Sequence, residues 1–129
     1  RDTQIFFMPT SFKSKRFHII IDAFDCDVTL LRDEAFLINL EQEITRMLEM
    51  QILKGPVAAE GIPENPGLSV FSIIDFSHIS IHTFTDTKEF YLDIFSCKPF
   101  DYSKLEVFIK KTFRLSDDQI FKTIVRYDK

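Results

Sequence analysis

Residues 68–75, 77–84 and 89–96 form three successive runs rich in Ile, Phe, Ser and Thr, separated by the single residue Phe76 and then by Thr85-Asp86-Thr87-Lys88. Links this short force neighbouring strands to turn back on each other, so the stretch predicts an antiparallel meander. In the middle run Ser77, Ile79, Ile81 and Thr83 share one face, and His78, Ser80, His82 and Phe84 share the other.

The flanking segments extend this layer. Residues 17–24 alternate Phe17, Ile19, Ile21 and Ala23 against His18, Ile20, Asp22 and Phe24, a further strand closed by Asp25-Cys26-Asp27. Residues 32–53 predict a helix. Phe36, Leu37, Leu40, Ile44, Met47, Leu48 and Ile52 recur at three- and four-residue steps on its inner face, with Glu41, Glu43, Arg46 and Glu49 on the solvated side. Gly55-Pro56 stops it. Residues 55–67 carry all 3 Gly of the chain and predict its longest loop. Asp101 or Ser103 caps a second helix that runs to about Phe113 and turns Leu105, Phe108, Ile109 and Phe113 inward. Residues 119–126 predict a closing strand. The order β-α-β-β-β-α-β gives an α+β two-layer sandwich, a mainly antiparallel sheet with two helices on one face. Residues 1–15 lack a clean period and read as an N-terminal arm, leaving 16–129 as a single domain.

Several function classes are disfavoured. The net charge is -4, and Lys13, Lys15 and Arg16 make the only basic cluster of the first half, so nucleic acid is not an expected partner. The apolar runs are too short for a membrane span. Two cysteines, Cys26 and Cys97, read as reduced thiols of a cytoplasmic protein. Asp22, Asp25 and Asp27 fit no oxygen-ligand loop, so no metal is expected.

Ser77, His82 and Cys97 are residue types that make and break acyl bonds. His82 and Cys97 also have plain structural readings, as a histidine bonded to a backbone carbonyl and a small buried thiol. Strand parity places Ser77 and His82, five residues apart, on opposite faces, so a cut or a bulge must bring them together.

The segment Ser77-His78-Ile79-Ser80-Ile81-His82-Thr83 resembles the prokaryotic S-adenosylmethionine decarboxylase proenzyme family, whose strand motif it carries complete. Asp93-Ile94-Phe95-Ser96-Cys97, His18 with Cys26-Asp27, and Ser69 after Gly67 match further anchors, over about residues 16 to 100. The resemblance implies a self-processing enzyme cut between Phe76 and Ser77. Ser77 becomes a pyruvoyl group, and no metal or pyridoxal phosphate is needed. The ketone captures a substrate amine and takes up the electrons released with carbon dioxide. His82 would be the processing base, Cys97 the proton donor and Ser69 an aid to the acyl shift. His18 and Cys26 match without a role; a pairing of His18 with Asp22 or a backbone carbonyl is expected. The family also implies a homodimer with composite sites.

The chain departs from the pattern on the substrate side. Phe76 replaces a Glu, Phe84-Thr85-Asp86 replaces Trp-Pro-Glu, and Pro63 stands where an aromatic residue stacks on adenine. Asp86 would then hold ribose hydroxyls with a shorter reach, and one of the 15 Phe could supply the stacking ring. Decarboxylation of S-adenosylmethionine for polyamine synthesis is the first expectation. An arginine or ornithine decarboxylase is the second, with Asp86 or Asp75 pairing the distal cation of the substrate. An unprocessed, non-catalytic regulatory paralogue is the third.

Overall fold

The computed structural model describes residues 15–127. The expected arm therefore lies outside the described residues, Lys15 excepted. The elements are β1 (Phe17–Ala23), α1 (Val28–Leu31), α2 (Glu34–Met47), β2 (Ile52–Ile62), β3 (Asn65–Ile74), β4 (Ser77–Phe84), β5 (Glu89–Ser96), α3 (Tyr102–Phe113) and β6 (Ile120–Ile124). The six strands form one sheet in the order β2-β3-β4-β5-β1-β6. Every pairing is antiparallel. The α+β class and the meander stand as expected.

Alternation sorts each strand into a covered and an open face. Ile19, Ile21, Val70, Ile74, Ile79, Ile81, Leu92 and Ile94 are buried beneath the helices. Leu37, Leu40 and Ile44 of α2 and Leu105, Ile109 and Phe113 of α3 complete one core. Phe113 packs 4.3 Å from the Phe90 ring and meets Phe36 edge-on at 5.4 Å. Each long helix starts on an aspartate that accepts an orphan backbone N–H, Asp33 from Phe36 at 3.0 Å and Asp101 from Lys104 at 3.1 Å.

Three expectations are corrected. The helix predicted over 32–53 starts after Asp33 and ends at Met47. Glu49 there takes φ 61, and Ile52 pairs with Ile74 as a strand residue. The loop predicted over 55–67 is instead most of a hairpin, β2 with the start of β3. Gly55, Pro56 and Gly61 sit where the ladder is irregular, between Lys54 and Val57 and between Glu60 and Ile62, and Pro63 lies in the turn. An edge strand tolerates such residues because one side of its backbone owes no hydrogen bonds. Gly67, at φ 147, belongs there for space: a Cβ would lie 1.8 Å from the Thr83 carbonyl oxygen of β4. Finally, Glu41 is fully buried, where the sequence reading had it solvated.

Candidate active site

The expected cleavage residues occupy the turn from β3 into β4. Ser77 holds φ 140, a region that a side chain disfavours by about 1–3 kcal/mol. Its Oγ lies 3.6 Å from the Cys97 Sγ. The Cys97 backbone N–H donates to the Phe76 carbonyl at 2.9 Å. The thiol is held in place by its neighbour: buried Ser96 accepts the Lys98 N–H on Oγ at 2.9 Å, which folds residues 96–98 into a tight bend. Cys97 is free and exposed. Uncut variants make the strain measurable. Ser77→Gly is expected to be more stable than Ser77→Ala by about 1 kcal/mol, read from denaturant midpoints, because only glycine accepts that φ at little cost.

Ser69 and His82 form a second pair, Oγ to Nδ1 at 2.7 Å, on facing positions of β3 and β4. His82 Nδ1 and the Ser69 hydroxyl therefore fix each other. This pair is not beside Ser77. Five residues of strand separate Ser77 from His82, roughly 16 Å at ~3.3 Å per residue. No bulge joins them, since β4 pairs in unbroken register from Ser77 to His82; the described chain brings together Ser77 with Cys97, and Ser69 with His82, as two pairs toward opposite ends of β4. Phe84 and Asp86 stand at the His82 end, lining a recess of about 370 Å³ with Glu64, Asn65, Thr87 and Glu89. Pro63 is in the turn between β2 and β3, next to Glu64. Asp75 faces elsewhere, accepting the Gln51 N–H at 3.1 Å.

His18 is paired, but not with Asp22. Its Nε2 lies 2.7 Å from Asp93 and its Nδ1 2.7 Å from the Tyr127 hydroxyl. Strand geometry explains this: Asp22 is four residues along β1, whereas Asp93 lies across the ladder on the same face. His78 approaches the same carboxylate at 3.7 Å. Burial raises the Asp93 pKa, but hydrogen bonds from His78 and His18 outweigh it and hold the carboxyl below its usual range. Cys26 is buried beside Lys88, at the far end of β5 from Cys97. Eight strand residues, roughly 26 Å, separate the two thiols, far beyond disulfide reach. Burial, with Asp25 and Glu89 nearby, pushes the Cys26 thiol up to about 11. Among the described residues no group of three or more His, Cys, Asp or Glu is arranged to hold a metal ion. No described helix is long and apolar enough to cross a membrane.

Sequence reasoning missed Ser96 and Lys98. Ser96 stood in the matched segment 93–97 without a role and Lys98 just beyond it, since nothing in spacing foretells a side chain that bonds backbone two residues on.

The fold is found elsewhere: an adenosylmethionine decarboxylase from Aquifex aeolicus superposes with a TM-score of 0.69 at 19% identity, covering 88% of this chain and 95% of that one. An S-adenosylmethionine decarboxylase proenzyme of Clostridium botulinum strain Langeland is 32% identical over 116 residues, 88% of this chain and 96% of its own length. One from Pyrobaculum islandicum is 36% identical over 80 residues, and the match spans 62% of each chain. Residues 17–126 match the S-adenosylmethionine decarboxylase family, and the chain belongs to that family of decarboxylases.

Proposed function

We propose that residues 16–129 form one self-processing domain. It cuts itself between Phe76 and Ser77, and the pyruvoyl group left at Ser77 makes it a decarboxylase of S-adenosylmethionine in polyamine synthesis. The geometry of one peptide bond carries this reading. Ser77 is strained, its hydroxyl abuts Cys97, and the Phe76 carbonyl already accepts a backbone N–H at 2.9 Å. When Ser77 Oγ adds to that carbonyl carbon, the Cys97 N–H stabilises the oxyanion. The C–N bond then breaks, the Ser77 nitrogen takes up the proton that the hydroxyl gives, and an ester joins Phe76 to Ser77 Oγ. Loss of the residue 77 Cα proton expels the Phe76 carboxylate and leaves an enamine. Tautomerisation, uptake of water and release of ammonia give the ketone. Once formed, the pyruvoyl group would bind the substrate amine and draw electrons from the departing carboxylate. Cys97, whose Sγ lies 3.6 Å from Ser77 Oγ in the uncut chain, would protonate the substrate carbon.

The site is incomplete in one chain. His82, oriented by Ser69, is the natural base for the Cα proton, yet stands roughly 16 Å away along β4. A second copy, laid against the face that the helices leave uncovered, supplies that pair. Phe71 and Ile73, both more than two-fifths exposed, give this face apolar area to bury. Intact-mass measurement tests the cut: two fragments, 1–76 and 77–129, with water gained and ammonia lost at the new terminus. Mixing tests the sharing. His82→Ala and Cys97→Ala proteins are each expected to be inactive, while co-expression restores one intact site per mixed dimer. Failure of the mixture to exceed either parent would place the whole site in one chain.

One observation favours a smaller cationic substrate. The recess at the His82 end has three carboxylates, Glu64, Asp86 and Glu89, and Pro63 rather than an aromatic ring stands in the adjoining turn. Carbon dioxide release from S-adenosylmethionine, arginine and ornithine separates the two readings.

A further inference from the structure

Lys98 has no part in the chemistry above, yet its ammonium stands against the side chain of Phe76, the residue that precedes the bond to be cut. Its Nζ lies 5.3 Å from the centroid of the Phe76 ring and donates to the Glu49 carbonyl at 3.0 Å. The Lys98 backbone is pinned by Ser96, so the side chain starts from a fixed point. Glu49, Asp101 and Lys104 line the same recess of about 230 Å³. An ammonium has three donor hydrogens, and the Glu49 carbonyl takes one of them.

We propose that Lys98 is a processing residue: its ammonium stabilises the Phe76 carboxylate as that group leaves, and holds it after the cut. The inference rests on the self-cleavage reading. Charge bookkeeping places the effect on one step. The amide and the ester are both neutral at Phe76, so a nearby cation changes the acyl shift little. In the elimination the Cα–H electron pair becomes the new C=C bond. The Cβ–Oγ bond breaks and its electrons stay on the Phe76 carboxyl, which gains a full negative charge. A neighbouring ammonium favours that transition state and its product.

The test compares Lys98→Met with Lys98→Arg by following fragment formation over time in the freshly folded full chain. Each time point is split, with and without hydroxylamine, which cleaves esters and spares amides. Lys98→Met is expected to slow cutting roughly ten-fold, a modest loss because the ammonium is partly exposed to solvent. Its uncut pool is expected to become hydroxylamine-sensitive as ester accumulates. Lys98→Arg keeps the charge and should restore the rate. A Lys98→Met protein that cuts at the normal rate overturns the inference while leaving self-cleavage standing. Slow cutting with a hydroxylamine-inert pool also overturns it, since Lys98 would then only brace the turn. An unmodified protein that never cuts removes both readings.

Discussion

Ser77→Ala is expected to remain one uncut chain of 129 residues and to lose decarboxylation entirely. The alanine methyl cannot add to the Phe76 carbonyl, so no ester and no ketone form. Without the ketone there is no electron sink, and enzymes of this kind give up at least about 10⁶-fold in rate when their reacting group is missing. Two readouts check this: denaturing electrophoresis, and labelling by a hydrazide that reacts with ketones. The fold should survive, because among the described residues the Ser77 side chain hydrogen-bonds only to Cys97, at the exposed end of β4. Fragments in Ser77→Ala would show that the bond breaks by some other route. An unlabelled, uncut unmodified protein would leave the family membership intact and remove the chemistry.

Glu41→Gln is expected to stabilise the folded protein by about 3 kcal/mol at pH 7. Glu41 is buried between α2 and β3, where Ser72 donates to its Oε1 at 2.7 Å and Oε2 has no partner among the described residues. Burial pushes the carboxyl up from 4.5 to about 8, and the Ser72 hydrogen bond offsets only part of that rise. The sign follows from where each state holds its proton. Well below pH 4.5 both folded and unfolded chains are protonated, and Glu41 costs nothing through ionisation. From 4.5 to about 8 the unfolded chain ionises while the folded one keeps its proton, so stability falls as pH rises. Above about 8 both are ionised and the penalty levels off. Glutamine keeps an acceptor for Ser72 and cannot ionise. Its advantage in denaturant midpoint should therefore be absent near pH 4, grow through neutrality and flatten beyond about pH 8. An equal advantage at every pH would trace the effect to packing.

The strands of the meander were legible because each faces core on one side only, which writes a two-residue period into 68–96. β2 was not. It is an edge strand, and Gly55, Pro56, Gly61 and Pro63 mark it as loop to any reading that counts breakers. Glu41 was misread through a default that charge faces water. Its spacing from Leu37 and Ile44 put it on the inner face, and Ser72 across the gap makes that position tolerable. The candidate residues were legible as a motif, whereas their separation into two pairs, Ser77 with Cys97 and Ser69 with His82, was not. Strand parity put Ser77 and His82 on opposite faces, and only the register shows that no bulge of β4 brings them together.

The strand order carries a last consequence. A break after Phe76 would assign β1, β2 and β3 to one polypeptide and β4, β5 and β6 to the other, and the sheet runs β2-β3-β4-β5-β1-β6. β1 is thus clasped between β5 and β6, both from the opposite fragment. The halves stay interlocked while folded, but once denatured they are separate molecules. Renaturation of mature enzyme becomes a two-body encounter, slower when dilute, and no folding can rebuild the serine already consumed. Maturation would run one way, and each copy must assemble before it is nicked.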